Sequence, residues 1–209
     1  MQPPLMKKTR RFILGASLAA VALAATPAFA DQEAEAYISE ILTEANTFMA
    51  ADDATRLAGI ETMVDEHVDM RRVGRFVLGQ YARRMSDAQA EVYFPLFRKY
   101  ATLVYQNALS EYSGQQLAVT GSVDRSPRDI IVNSGIIDAR PGDRFADINA
   151  HWRVYRNRAG EMSVIDAGAE GIWLAIEQRG QFTSIIANNG GGEKGIDALI
   201  AQLQDQVGG

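Results

Sequence analysis

The spacing of apolar residues changes once along this chain, near Ser113 and Gly114, and that change limits the folds open to it. Before it, apolar side chains recur every three or four residues over residues 36–48 and 57–67. This period is typical of helices that bury one face. After it, apolar residues alternate with polar or small ones, as in strands that bury one side. We therefore expect helices followed by a sheet, which is an α+β domain.

The helical half is expected to contain one long helix. Ser86 and Asp87 suit its N-terminal cap, and the apolar pattern continues to about Tyr112. Pro95 lies inside this segment. Because proline lacks a backbone N–H and its ring clashes with the preceding turn, we expect a kink there or a break into two helices.

Alternating residues predict about four strands. They lie at residues 117–123, 130–136, 148–154 and 162–166. Turn-forming residues join the first pair and the last pair, which favours an antiparallel meander. Two helices are expected after the sheet, at about residues 171–188 and 193–206. The predicted fold is α+β, with helices packed on one face of a curved antiparallel sheet of about four strands.

The first thirty residues have the three zones of a secretory signal peptide. Four basic residues lie between positions 7 and 11, a short apolar run follows, and Ala28-Phe29-Ala30 offers a cleavage site. No cysteine follows that site to accept a lipid anchor. We expect a single domain over residues 31–209, released into the periplasm. Residues 9–14 also loosely match a twin-arginine signal, which leaves the export route open.

The chain contains no cysteine, so disulfides and thiolate metal sites are excluded and the fold must depend on its apolar core. After position 30 there are 17 basic residues against 26 acidic ones, a net charge of −9. Binding to nucleic acid needs clustered basic residues, so this balance argues against it. It also disfavours lasting adsorption to anionic lipid headgroups.

Few residues suggest catalysis. Acidic neighbours surround His67, but consecutive helical residues point in different directions and would not converge on one metal ion without unwinding. The other histidine, His151, alternates with Trp152 and is expected at the surface or at a pocket rim. Asp166 lies on a strand expected to face the core, where burial would suit it to act as a base. A structural role at a strand end is the alternative.

Large apolar and aromatic residues are concentrated in residues 73–81 and 93–105. In the second segment they cover more than one face of the predicted helix. A helix that is apolar nearly all round is either buried on several sides or lines a cavity that something else fills. The periodicity leaves both possibilities open, a packed core and a ligand cavity.

The first of these segments lies within a recognisable stretch. Residues 72–89 read RVGRFVLGQYARRMSDAQ, followed by Phe94, Phe97 and Tyr105. This resembles the MlaC (toluene-tolerance) family, with its Val-Leu-Gly-x-Tyr stretch, then Ser-x-x-Gln, then spaced Phe and Tyr. Further groups fall in the family order, namely Trp152-Arg153-Val154-Tyr155, Val164-Ile165-Asp166, Gly171, Gln178-Arg179, Phe182 and Gly190-Gly191. The resemblance covers essentially the whole chain after the signal.

The chain departs from the family pattern in three places. Ala82 stands where the family usually has Trp, and Trp173 where it usually has Ser. Gly180-Gln181 replaces what is more often a Ser/Asn-Glu pair. These changes bear on the shape of a pocket or its mouth, and so on the identity of the ligand more than on the fold.

The resemblance implies a periplasmic carrier of a two-tailed phospholipid, with no cofactor and no catalysis. It implies an apolar cavity enclosed by the helices and the sheet, in the manner of an NTF2-like cone. The implied partners are an outer-membrane lipoprotein complex and an inner-membrane ABC transporter complex with an MCE-domain ring. Exposing one sixteen-carbon tail to water costs about 12 kcal/mol, at about 0.8 kcal/mol per methylene, so a tail must be shielded in transit.

Twelve apolar or aromatic residues are the expected lipid contacts. They are Val73, Phe76, Leu78, Tyr81, Phe97, Tyr100, Val104, Val132, Trp152, Val154, Val164 and Trp173. Two other functions remain as alternatives. One is an isomerase or hydratase on a similar cone with Asp166 as its base, and the other is a carrier of a different apolar lipid.

Overall fold

The structure, a computed structural model, describes residues 31–109, 116–137 and 148–208, and the predicted signal segment lies outside them. Within these residues six α-helices and a five-stranded sheet form an α+β fold, which confirms the predicted class. The helices are α1 Gln32–Phe48, α2 Asp53–His67, α3 Met70–Val77, α4 Asp87–Ala108, α5 Leu174–Asn188 and α6 Gly192–Gly208, with a 3₁₀ helix at Gly79–Arg83. The strands are β1 Leu117–Ser126, β2 Asp129–Ile136, β3 Asn149–Arg156, β4 Met162–Ala169 and β5 Ile172–Trp173. None of the described helices is both long and apolar enough to cross a membrane.

Side-chain caps fix the starts of the first four α-helices. Asp31, Asp52 and Asp69 each accept a hydrogen bond from a backbone N–H in the first turn of the helix that follows. Helix α4 begins with a capping box, in which Ser86 and Gln89 each bond the other's backbone N–H. These bonds satisfy donors that a helix start leaves without partners.

Helix α4 is continuous through Pro95, so the predicted break into two helices is wrong. Proline removes the hydrogen bond to the carbonyl of Glu91. Both residues are exposed to solvent, where water can take the place of the missing N–H. The helix also ends at Ala108, before the predicted end at Tyr112, which lies outside the described residues.

The sheet is an antiparallel meander in the order β1-β2-β3-β4-β5. The fifth strand was not predicted. Its two residues pair with Gly168 and Ala169, so the predicted helix start at residue 171 moves to Leu174. The first strand pairs irregularly near Gly121, whose φ of 143° is poorly accessible to other residues.

The buried side chains fall into three clusters. One joins α1 to the inner face of the sheet, where Ile38 and Ile41 meet Val132 and Val154. A second is made by α3, the 3₁₀ helix, α4, α5 and α6. A third fills the space between α1 and α2. Only part of the helical layer therefore packs on the sheet, and the remaining helices mainly bury one another.

The link between α2 and α3 connects the helices to the sheet. Val68 forms an isolated parallel bridge with Val164, and the backbone N–H of Asp69 donates to the carbonyl of Val164 at 3.0 Å. Chain segments therefore flank β4 on both edges, with β3 on one side and Val68 at part of the other.

Candidate functional site

A cavity of about 400 Å³ lies between the inner face of the sheet and the ends of α2 and α4. Its walls come from most of the described elements. They are formed by Ile41, Met63, Val64, His67, Val68, Tyr105, Asn107, Ala108, Leu109, Leu117, Ile136, Ile148, Ala150, His151, Trp152, Val164, Ala167, Gly168, Ala169 and Leu174. Nearly all are apolar, and the volume falls within the range of about 300–1,000 Å³ that is usual for ligand sites.

Small residues on the sheet leave this space open. Side chains alternate along a strand, so Ala150 and Trp152 on β3 face the same side. Their cross-strand partners on β4 are Ala169 and Ala167. Three alanines therefore surround the indole where a larger side chain would fill the gap. Farther along the same face, Val154 pairs with Ile130 and contributes to the core against α1.

Trp152 is held in a fixed orientation. Its indole N–H donates to the hydroxyl of Ser134 at 2.9 Å, and that serine is fully buried. The one polar atom of the indole is thereby satisfied within the protein. The ring can then contribute apolar surface to the cavity wall without leaving a donor unpaired.

The polar wall residue His67 belongs to a small network with α1. Its Nδ1 lies 3.4 Å from the Tyr37 hydroxyl, and its Nε2 lies 3.2 Å from a carboxylate oxygen of Glu44. Burial raises the pKa of Tyr37. Glu44, Glu66 and His67 place one ligand atom each within 4.8 Å of the others. Glu44 comes from a different helix, so sequence neighbours of His67 could not reveal it. The contact between His67 and Glu44 holds two of these three side chains together.

Asp166 is not among the residues that line this cavity. Strict alternation predicts Asp166 on the same face as Val164, and that prediction is wrong. The register between β3 and β4 shifts at this point, so Asp166 pairs with Arg153 and points away from the face that carries Trp152. One carboxylate oxygen accepts the backbone N–H of Ala175 at 2.9 Å, at the start of α5, where the capping residue Trp173 supplies no side-chain bond. Burial raises the pKa of Asp166, and the N–H of Ala175 and the charge of Arg153 oppose that effect.

Of the twelve predicted lipid contacts, Trp152 and Val164 lie on the cavity wall. Six belong to or pack against the helical cluster, namely Val73, Phe76, Leu78, Tyr81, Phe97 and Tyr100. Val132 and Val154 are fully buried against α1. Val104 is half-buried on α4, and the ring of Trp173 lies 5.9 Å from that of His151. That these twelve residues contact lipid stays a prediction.

Sequence reasoning did not select several wall residues. Leu117 and Ile136 belong to the alternating pattern that predicted their strands, so their inward direction was readable. Met63 and Val64 belong to the periodic face of α2. Nothing in the sequence indicated that these residues and the alanines of β3 and β4 surround a space, because that depends on how α2 and α4 meet the sheet.

Comparison with known proteins gives three findings. A family model described as "MlaC protein" matches residues 32–205. The intermembrane phospholipid transport system binding protein MlaC of Haemophilus influenzae is 27% identical over 142 residues, 68% of this chain, and the match spans 63% of that relative's length. A phospholipid-binding protein from Ralstonia solanacearum, solved with a phospholipid, has a TM-score of 0.67 and 19% identity over 84% of this chain and 97% of its own. At that identity the likeness concerns the fold.

Proposed function

This chain belongs to the MlaC family, and from that membership we propose that it is a periplasmic phospholipid carrier that buries acyl tails in the apolar cavity. The cavity is the observation that supports the proposal most strongly. Its wall is apolar in almost every residue, and the alanines around Trp152 keep it open. At about 0.8 kcal/mol per buried methylene, a wall of this kind can offset much of the cost of removing a tail from a membrane.

A carrier of this type needs no catalytic group. Affinity comes from non-directional apolar contact, so a lipid can enter and leave without a covalent step. The few polar wall residues, among them His67 and Asn107, can face a headgroup that stays partly in water. The enzyme alternative requires Asp166 at the ligand, and the position of this carboxylate on the other side of β4 supports a structural role instead.

We propose that the lipid passes between an outer-membrane lipoprotein complex and an inner-membrane ABC transporter complex with an MCE-domain ring. Export would remove residues 1–30 and leave Asp31 at the start of the single domain. The contacts of Asp31 suit its position as the first residue of the exported protein. Its carboxylate caps α1 and pairs with Arg156 at 2.7 Å, while its backbone N–H donates to Ser122 at 2.8 Å. The domain would keep these side-chain contacts after cleavage.

The test is to fill the cavity. Ala167 lines it and faces Trp152, so Ala167→Trp places a ring where a tail would lie. The exposed Ala54 on α2 provides the control Ala54→Trp. We expect the Ala167 variant to fold but to extract much less fluorescent phospholipid from donor vesicles than the control does. Normal lipid uptake by a folded Ala167→Trp protein would show that the tails bind elsewhere.

Identifying the bound lipid separates this proposal from the alternative that the chain carries a different apolar lipid. Extraction of the purified protein with organic solvent, followed by mass spectrometry, should recover a two-tailed phospholipid. Recovery of an isoprenoid or sterol-like molecule as the main ligand would keep the cavity and replace the proposed cargo.

A further inference from the structure

A second cleft, of about 610 Å³, lies between α3 and the outer side of β3 and β4. Arg71, Arg72 and Arg75 line it from the helix, and Arg153 and Asp166 line it from the strands. Because Arg153 and Asp166 point away from the face that carries Trp152, this cleft is separate from the apolar cavity.

Positive charge is concentrated on the segment that forms one wall of this cleft. Residues 70–86 contain five arginines and no acidic residue. The rest of the chain after position 30 has 12 basic residues against 26 acidic ones. All five arginines are exposed. An acidic protein therefore presents a basic surface along α3, which we call the α3 arginine surface and which consists of the three arginines that line the cleft, Arg71, Arg72 and Arg75.

The arginines around α3 are positioned by aromatic rings. Arg71 lies 4.6 Å and Arg75 5.9 Å from the ring centre of Phe94. Arg72 lies 3.6 Å from the ring centre of Tyr155. Stacking of this kind orders a guanidinium group but leaves its N–H donors available at the edge.

Arginines elsewhere in the described structure are mostly neutralised. Arg98 pairs with Asp65 and Glu61, Arg153 with Asp129, and Arg156 with Asp31 and Glu33. On α3, Arg72 pairs with Asp69 at 3.3 Å, whereas within the described residues no carboxylate pairs with Arg71 or Arg75. Their charge is therefore available to a ligand outside the chain.

Asp166, which lines the cleft from β4, lacks a hydrogen-bond donor for one of its oxygens within the part of the chain that the structure describes. Asp166 is 2% exposed, and one of its carboxylate oxygens has no hydrogen-bond partner among the described residues. A buried acceptor of this kind costs free energy until a donor reaches it. An occupant that combines acidic groups for the arginines with an N–H donor for Asp166 would satisfy both parts of the cleft.

A protein segment rich in Asp or Glu has this combination. Its carboxylates match the forked geometry of guanidinium groups, and its backbone supplies N–H donors. An anionic membrane also offers acidic groups, but the net charge of −9 repels it as the whole molecule approaches. We propose that the α3 arginine surface docks an acidic segment of a partner protein. This inference goes beyond lipid binding, because the docking would take place at a cleft that is separate from the cavity.

The test uses a fluorescently labelled peptide of alternating Glu and Ala residues with the mature chain. Arg71→Glu combined with Arg75→Glu reverses two charges on the α3 arginine surface. Arg128→Glu combined with Arg158→Glu makes the same change of charge at exposed turns of the sheet and serves as the control. Fluorescence anisotropy at low ionic strength should show binding that weakens at least tenfold in the first variant and less than threefold in the control.

Equal loss in the two double variants would mean that net charge alone attracts the peptide, and the inference would fail. It would also fail if wild-type protein did not bind the peptide, and binding of phosphatidylglycerol vesicles through Arg71 and Arg75 would then identify a membrane as the occupant. Circular dichroism shows whether each variant is folded, and Arg71→Gln with Arg75→Gln replaces the charge reversal if it is not. Bound lipid measured on the same samples should be unchanged, which separates failure of docking from failure of lipid binding.

Discussion

Phe97 and Ala167 illustrate two different kinds of buried position. Phe97 is fully buried, stacks on Tyr93 at 5.7 Å between ring centres and meets Phe182 edge to face at 6.1 Å. It lines neither the apolar cavity nor the cleft beside α3. Ala167 instead faces the apolar cavity beside Trp152. Loss of side-chain volume should therefore be costly at Phe97, while added volume should be tolerated at Ala167.

We expect Phe97→Ala to lower the free energy of unfolding by about 3–5 kcal/mol, because it leaves a void in a close-packed cluster. The loss should be the same in lipid-loaded and lipid-free protein. The exposed Val92 lies on the same helix, and Val92→Ala should change stability by no more than about 0.5 kcal/mol. Urea denaturation of both variants measures this. A loss below about 1.5 kcal/mol for Phe97→Ala in lipid-free protein would indicate that Phe97 borders a cavity.

Asp166 makes stability depend on pH. Its pKa is raised by burial in the folded protein, so the folded state holds this proton more tightly than the unfolded state does. The stability from that proton is present below the ordinary Asp pKa of about 3.9 and is lost as pH rises through the higher folded pKa. Asp166→Asn keeps an acceptor for the N–H of Ala175 but cannot ionise.

The free energy of unfolding of wild type minus that of Asp166→Asn should accordingly be larger near pH 4 than near pH 7. Denaturant titrations at the two pH values measure it, and a difference that stays constant or grows with pH would contradict the assignment. Lipid transfer between protein-free vesicles should be unchanged in the variant. Complete loss of transfer in a folded, lipid-loaded Asp166→Asn protein would favour the isomerase or hydratase alternative.

For single residues, the sequence predicted which way a side chain points better than it predicted what that side chain contacts. Alternation placed Trp152 and Val164 on the inner face, where they line the cavity. The same reasoning also selected Val154, which points inward but packs against α1. The twelve predicted lipid contacts include no alanine, whereas the cavity lies where the small side chains of Ala150 and Ala167 leave room. Which inward residue meets helix and which meets empty space depends on contacts between distant segments.

At the scale of elements, helix α4 links the two ends of the domain. Its first turn meets α6, where the Gln89 amide donates to the carbonyl of Glu193 at 2.9 Å and to Asp197 at 2.6 Å. Its last turns supply Tyr105 and Ala108 to the cavity wall. The capping box at Ser86 therefore stabilises a helix whose far end shapes the candidate site.

Ser86→Ala should lower the free energy of unfolding by about 1 kcal/mol, since it removes the acceptor for the Gln89 N–H. Ser39→Ala changes an exposed serine in the interior of α1 and should have little effect or stabilise slightly. Thermal unfolding of both variants tests this. Equal melting temperatures for Ser86→Ala and wild type would show that the cap contributes nothing.

The elements with strong local signals were predictable. Periodicity located α1 and α2, and the cap at Ser86 marked the start of α4. The two-residue strand β5 was not predictable, because two residues show no alternation and its pairing with Gly168 depends on the turn at Gly171. Of the kink or break expected at Pro95, the break did not occur, since the proline lies on an exposed face of a continuous helix.

In the molecule as a whole, the two candidate binding surfaces are separate. The apolar cavity lies on the inner side of the sheet, and the α3 arginine surface lies beside its outer side. The −9 charge of residues 31–209 keeps the rest of the surface acidic. Periodicity predicted the fold class and the family resemblance predicted a cavity, but neither located that cavity, because its walls combine residues from four strands and four helices that are far apart in sequence.

Native mass spectrometry of protein purified from the periplasm shows whether the cavity holds phospholipid tails. We expect a folded chain beginning at Asp31 with a two-tailed phospholipid bound to wild type and to Ala54→Trp, and a largely lipid-free Ala167→Trp protein. Wild-type protein free of lipid under conditions that preserve non-covalent complexes, or an Ala167→Trp protein with its normal lipid, would contradict this expectation.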